Sequence, residues 1–394
     1  MTSADIERLI LLAPIEPAST GNGLAMRAEL FRAAANSDFA VQTIVVPVAG
    51  RLPAGAGRAP GAVIVPADPG RARAGTSRLV GDPVWRDRLG QAGALPRLAR
   101  AASPGLVDVV VDALAGRASA AVHVMRSYLA PLGRAVAERL DARWSTLDLD
   151  EDDAALAGPD EARAYERLLS VFAPLFDGLS AASLGEASTI GERHGITVEH
   201  IPNAVALPPP APRAWGRSDA SLLFVGNLTY PPNVEAARAL VETVVPGLRR
   251  PARVTLVGPH DARIAGLAGP QVQVTGFVPD LDPIYAAADV VVAPLQRGGG
   301  TRIKLLEAFA HDVPVVASRA AAAGLEVSDG CHLLLADGPE KTAAAVEAVL
   351  ADRALAEKLV SQAGRLLRNR YSTDVVIPMI RDFFAGAGTA PAYG

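Results

Sequence analysis

The stretch RGGGTRIKLLEAFAHDVPVVAS, residues 297–318, gathers the residue types that handle anions. Gly298, Gly299 and Gly300 let backbone N–H groups turn inward as an anion nest, and Thr301 can cap the helix that follows. A helix start presents free N–H groups and the positive end of its dipole. Arg302 and Lys304 add two cations there, where the dipole disfavours them. An anion seated at that end resolves the conflict, and a pyrophosphate fits. Glu307, one turn after Lys304, can accept from the two hydroxyls of a ribose. The bland alternative is a solvated Lys–Glu pair three residues apart, worth about 0.3 kcal/mol. Ile303, Leu306 and Ala310, with Leu305 and Phe309 beside them, form the buried side of the helix.

Such a cradle must be held by a sheet. DVVVAP (289–294) ahead of it and VPVVAS (313–318) behind it are short β-branched runs of the kind buried on both faces of a parallel sheet. SLLFVG (221–226), RVTLVG (253–258) and VQVTGF (272–277) extend the series, with a helical pattern after the first. An earlier alternation runs through RLILLAP (8–14), FAVQTIVV (39–46), AVIVP (62–66), VDVVV (107–111), AVHVMR (121–126) and STLDL (145–149), each read as a strand. Strand–loop–helix order of this kind predicts parallel sheets. Between the two series, IPNAVALPPPAPRAWGRSDA is Pro-rich and aperiodic, a stiff connector. The expected division is therefore 1–205, a linker at 206–218, 219–371, and a C-terminal helix at 372–394 returning to the first domain. The fold class is α/β, with two doubly wound Rossmann-like domains facing across a cleft. Ligands of such sheets sit outside the carboxyl ends of the strands.

Composition sets the outer limits. With 394 residues, half of them hydrophobic and a fifth charged, the chain reads as two packed domains. A formal net charge of −4 gives no reason to expect nucleic acid as a partner. One cysteine, Cys331, excludes an intramolecular disulfide. Lysine occurs only at 304, 341 and 358 in an arginine-rich chain, which makes Lys304 more informative than most cations here. The N-terminus reads as a first strand rather than a signal peptide, no apolar run reaches the length of a membrane span, and a cytoplasmic protein is expected.

GGTRIKLLEAFAHDVPVVAS, FVGNLTYPPNVEAARAL, VTGFVPDLDPIYAAADVVVAPL and HIPNAV together resemble the group 1 (family 4) glycosyltransferases of the GT-B fold, in the same order along the chain. The resemblance is strong over 198–320 and thinner through PIEPASTGNG in the first domain. The pairing of YPPN with GTRIK is similar to sugar transferases of polysaccharide and glycoconjugate assembly. It implies metal-independent transfer of a sugar from a nucleotide-diphosphate donor, UDP- or GDP-linked, with retention at the anomeric carbon. It implies no resident cofactor. The acceptor would be a glycan, a lipid-linked molecule or a small molecule.

Carried over by position, Glu307 matches the ribose-holding second Glu of the family's E-x7-E motif, while the first falls on Gly299. The phosphate Arg that usually follows the glycine of the strand loop is replaced by Asn227, after Gly226, and the partner Lys is missing, with Asn233 nearby. Two phosphate cations absent there and two present in TRIK suggest that Arg302 and Lys304 have taken over the diphosphate and its growing charge. Phe277 and Val278 match the loop flanking the nucleotide base. Gly21, Asn22 and Gly23 match the first-domain turn facing the donor phosphate and sugar. His123 matches a family histidine near the donor sugar, and Arg126, just beyond, is placed to meet an acceptor or phosphate.

Asp148-Leu149-Asp150 forms a formal DxD, the metal motif of the other glycosyltransferase fold, but two Rossmann-like halves favour GT-B and no metal is assigned. The Arg-rich stretch 71–100, with Trp85 inside it, leaves room for weak peripheral contact with a membrane, against the plainer reading of a solvated surface. Two alternatives remain open at this point: a nucleotide-sugar epimerase of the same architecture, and a non-catalytic nucleotide-sugar-binding protein.

Overall fold

RLILLA, apolar at nearly every position, becomes a fully enclosed central strand. In this computed structural model, which describes residues 7–47, 62–65, 83–99, 104–114, 120–209, 219–297 and 302–389, it is β1 (Arg8–Ala13). The chain divides into two units, one of Met1–Ser19, Leu24–Pro202 and Ile377–Gly394, the other of Thr20–Gly23 and Asn203–Val376.

In the first unit β1 is followed by β2 (Ala40–Val45), β3 (Val63–Ile64), β4 (Ala120–Met125), β5 (Ser145–Asp148), β6 (Gly178–Ala181) and β7 (Glu199–His200). All seven pair in parallel in the order β3-β2-β1-β4-β5-β6-β7. The longer helices here are α1 (Gly23–Ala35), α2 (Pro83–Ala92), α3 (Pro104–Ala113), α4 (Ala130–Arg139), α5 (Pro159–Phe172) and α6 (Leu184–His194). The apolar sides of α2 to α6 meet the sheet in one core that includes Ile10, Leu12, Val122, Leu132 and Phe172, while α1 buries Ala28, Phe31 and Ala34 apart from it.

One expectation is corrected. VDVVV is not a strand but part of α3. Its Val107 and Val110 are buried, as is Leu114 just after it, a three-and-four spacing that lays one stripe on the core. The β-branched composition suggested a strand, and packing on that stripe overrode the local propensity. Trp85, on α2, also turns inward. Its indole N–H donates to Glu138 at 2.9 Å and its ring packs on Phe172, so it is not available to a membrane surface. The expected Arg-rich stretch otherwise falls partly outside the described residues.

The second unit holds β8 (Ala220–Val225), β9 (Ala252–Val257), β10 (Val272–Thr275), β11 (Val290–Ala293), β12 (Val315–Ala317) and β13 (Leu334–Leu335), parallel in the order β10-β9-β8-β11-β12-β13. Its longer helices are α7 (Pro231–Ala239), α8 (Ile303–Ala310), α9 (Pro339–Ala351), α10 (Arg353–Leu366) and the start of α11 (Thr373–Thr389). The strand order reverses between β8 and β11, so the connections leaving these two strands diverge and open a crevice at their carboxyl ends. No described helix is long and apolar enough to cross a membrane.

Candidate active site

Both connections that leave the β8/β11 switch point contribute side chains to one place. After β8 the chain passes Gly226 and Asn227 and enters α7, where Pro231 and Pro232 fit the first helical positions because the N–H that proline lacks would have no intrahelical partner there. Asn227 caps its own turn, its Oδ1 accepting from Thr229 N and Oγ1 at 3.0 and 2.7 Å. Asn233, in the first turn of α7, donates from Nδ2 to the Asn227 carbonyl at 3.0 Å, which leaves its Oδ1 aimed elsewhere.

That oxygen accepts from Lys304. After β11 the chain enters α8 with Arg302 at the N-cap position, one residue beyond the expected Thr301, and with no side-chain cap. Ile303, Leu305, Leu306, Ala308 and Phe309 are buried and fix the rotation of the helix. Lys304 is thereby turned toward the end of β8. Its Nζ donates to Asn233 Oδ1 at 2.8 Å and stands 4.4 Å from the centre of the Phe224 ring. A Cβ on Gly226 would lie 3.0 Å from the same nitrogen and 3.1 Å from Asn233 Nδ2. Burial, with the Arg302 guanidinium adding to it, lowers the Lys304 ammonium to about 7, against the opposing pull of Glu307.

Gly258 closes the floor. Its φ is +136°, and a Cβ there would fall 1.9 Å from the Gly226 carbonyl oxygen, so only glycine lets the ends of β8 and β9 approach this closely.

Glu307, three residues on from Lys304, meets a different neighbour. Its Oε2 accepts from the Tyr285 hydroxyl at 2.9 Å, and Tyr285 is fully buried in the short helix Asp282–Ala287 ahead of β11. Burial pushes the Glu307 carboxyl above its ordinary range, while Tyr285, His311 and Lys304 each pull it back toward ionisation. His311 caps the C-terminus of α8, stacks on Tyr285 at 4.6 Å, and faces the Glu307 carbonyl and Asp282 through its two ring nitrogens at 2.7 and 2.9 Å. Lys304 and Glu307 are thus not a solvated pair, because each is held by a different neighbouring element.

Of the other expected residues, Gly298, Gly299, Gly300 and Thr301 lie outside the described residues. Arg302 donates from Nε to the Ala323 carbonyl at 2.7 Å. Phe277 is 52% exposed and Val278 half-buried, directly after β10. Gly21 sits at φ +97° in the turn before α1, Asn22 follows it, and Gly23 opens the helix. Asn233, noted in the sequence only for standing near the missing Lys, joins Tyr285, Phe224 and His311 in completing the site, and these three carried no local signal: a Tyr and a Phe inside apolar runs look like packing.

Two expectations in the first unit are corrected. His123 lies within β4, wholly buried, stacked on Phe31 at 4.4 Å and edge-on to Phe384 at 5.2 Å. Its Nδ1 meets Thr146 Oγ1 at 2.8 Å, and burial lowers the imidazole to about 3. It is packed as a core histidine, enclosed by aromatic rings. Arg126, at φ +76° after β4, is committed to carboxylates: it donates to Asp150 at 3.1 Å, to Glu151 at 2.7 Å, and to Asp153. A phosphate would have to displace them. Asp148 of the DxD is likewise held by Arg27, with Nε–Oδ2 and Nη2–Oδ1 distances of 2.7 and 2.6 Å, and by the Ser180 hydroxyl at 2.8 Å. Among the described residues no group of His, Cys, Asp and Glu side chains is arranged to hold a metal ion.

Residues 219–352, which carry this whole arrangement, match the family described as glycosyl transferases group 1. These residues form a group 1 glycosyltransferase domain within the second unit. That domain makes the chain a glycosyltransferase. No curated protein matches the sequence. Among solved structures, sucrose-phosphate synthase from Thermosynechococcus elongatus is similar at 17% identity and a TM-score of 0.69, over 96% of this chain and 98% of that one. HepE of Anabaena, in complex with UDP and glucose, matches at 15% identity and 0.66, over 96% and 100% of the two chains. TarM of S. aureus, in complex with UDP, alpha-GlcNAc-glycerol and Fondaparinux, matches at 11% identity and 0.69, over 97% and 100%. These likenesses establish the GT-B fold, as the sequence resemblance implied.

Proposed function

We propose that this glycosyltransferase binds a nucleoside-diphosphate sugar at the β8/β11 switch point and passes the sugar to an acceptor hydroxyl, with retention and without a metal. The observation that carries the reading is the Lys304 ammonium, the one lysine of the site, held across the switch point by Asn233 with the Glu307 carboxylate one turn away. The spacing suits a diphosphate at Lys304 and a ribose at Glu307. The UDP bound by the similar HepE and TarM structures supports a nucleotide donor of this kind.

In this reading the Lys304 ammonium and the Arg302 guanidinium face the negative charge that grows on the diphosphate as the anomeric carbon–oxygen bond breaks. Preorganised charge of that sort is the main source of rate in such a site. The departing phosphate oxygen accepts the proton of the incoming hydroxyl on the same face, so no protein base is required. His123 and Arg126 have no part in this scheme. Cytoplasmic action, where nucleotide sugars are made, belongs to the same proposal. The matched domain gives no support to an epimerase or a non-catalytic binder.

Calorimetric titration with UDP, GDP and dTDP, with EDTA and then with Mg²⁺, tests the reading. Metal-free binding of one diphosphate, lost in an Arg302→Ala/Lys304→Ala variant, is the expected result. Unchanged affinity in that variant would remove the proposed phosphate site, and binding only with Mg²⁺ would remove metal independence.

A further inference from the structure

The Tyr285 hydroxyl is an unusual group to find where it is. The side chain, on the short helix that connects β10 to β11, is fully buried, and its one polar atom is spent on Glu307 Oε2 at 2.9 Å. Among the described residues no other side chain donates to the Glu307 carboxylate. The ring is clamped in turn: His311 lies parallel to it at 4.6 Å with 17° between the planes, and His311 is itself held between the Glu307 carbonyl and Asp282. A buried phenol with this much support is a rigid donor, and burial together with the adjacent carboxylate pushes its own ionisation upward, so it stays a donor.

We infer that Tyr285 is a positioning residue for ribose recognition: its hydroxyl fixes the rotamer of Glu307 and keeps that carboxylate ready to accept from the sugar diol. This rests on the proposed function, in which Glu307 receives the ribose. A carboxylate that accepts one hydrogen bond from the protein on Oε2 retains lone pairs on both oxygens, so the phenol does not compete with two ribose hydroxyls. Without it, a half-buried Glu307 is free to rotate, and burial favours its protonated form, which accepts less well. The groups facing Glu307 are Tyr285 from the short helix, Lys304 and His311 from α8 and its cap, and Asp282 through His311.

The test compares the nucleoside diphosphate that the chain binds, UDP or GDP, with its 2′,3′-dideoxy counterpart, in the full-length protein and in Tyr285→Phe. The phenylalanine keeps the ring and its stacking and deletes one oxygen. The intact protein should favour the ribonucleotide, and Tyr285→Phe should reduce that preference about tenfold, the size of a hydrogen bond to a charged group. Affinity for the dideoxy nucleotide should stay unchanged, and the acid-side loss of ribose preference should move to higher pH. A preference that survives in Tyr285→Phe overturns this inference alone. An equal loss of affinity for both nucleotides assigns Tyr285 a general packing role and overturns it too. Equal binding of the two nucleotides by the unaltered protein overturns the ribose role of Glu307 itself, and with it the proposed reading.

Discussion

Lys304 Nζ and Asn233 Oδ1 are 2.8 Å apart although 71 residues separate them, and this contact ties the loop after β8 to the helix after β11. It puts a cation where the strand order reverses. The first prediction follows from it. Lys304→Met, which keeps the length of the side chain and the contact with Phe224, should weaken diphosphate binding at least tenfold, since a hydrogen bond to an ion is worth about 1.5–3 kcal/mol. Asn233→Ala should cost less, about fivefold, because the charge remains and only its orientation is lost. Calorimetry with the preferred diphosphate measures both, and equal losses in the two variants would contradict the order.

Proton uptake provides the second. Burial holds the free Lys304 at about 7, so at pH about 8 most of it is neutral, and a bound diphosphate favours the charged form. Binding should therefore take up a proton above neutrality, and affinity should fall as pH rises further. Titrations in buffers of different ionisation enthalpy count that proton, which should vanish in Lys304→Met. The sign for stability runs the other way. The folded chain binds this proton less well than an unfolded lysine near about 10.4 does, so the residue's contribution to stability grows from pH about 7 to about 10.

Two glycines at the floor of the site should respond differently. Gly258→Ala sets a Cβ 1.9 Å from the Gly226 carbonyl at a φ of +136°, which no small shift relieves. A loss of more than about 3 kcal/mol, or failure to fold, is expected. Gly226→Ala meets only the tip of Lys304 at 3.0 Å and the Asn233 amide at 3.1 Å. It should fold normally and bind diphosphate less well. Thermal unfolding alongside nucleotide affinity separates the two outcomes.

The fourth concerns the first unit. Arg27 and Asp148 are both fully buried and joined by two hydrogen bonds. Arg27→Ala leaves Asp148 without its counter-charge and should cost about 3–5 kcal/mol. A double variant, Arg27→Met with Asp148→Leu, should recover much of that loss. Urea unfolding followed by tryptophan emission reads the change, because Trp85 and Trp144 are both buried in this unit. Equal destabilisation by the single and double variants would show that packing, not charge, holds the pair.

Short β-branched runs, the Pro-rich connector and the order of strand and helix signals determined the two-sheet α/β architecture, because burial on both faces of a parallel strand leaves a continuous apolar stretch in the sequence. Lys304 and Glu307 could also be singled out as candidates, since cations at a helix start conflict with the dipole and call for an anion. What held them could not. Asn233, Phe224 and Tyr285 reach them across 71, 80 and 22 residues of chain, and only the strand order, which reverses between β8 and β11, brings those segments together. The same limit explains the corrections. His123 and Arg126 stand at the positions that motif matching indicates, but Phe31, Phe384 and three carboxylates from other segments enclose them. Residue type fixes what a side chain is able to do; the packing of distant segments decides whether it is free to do it.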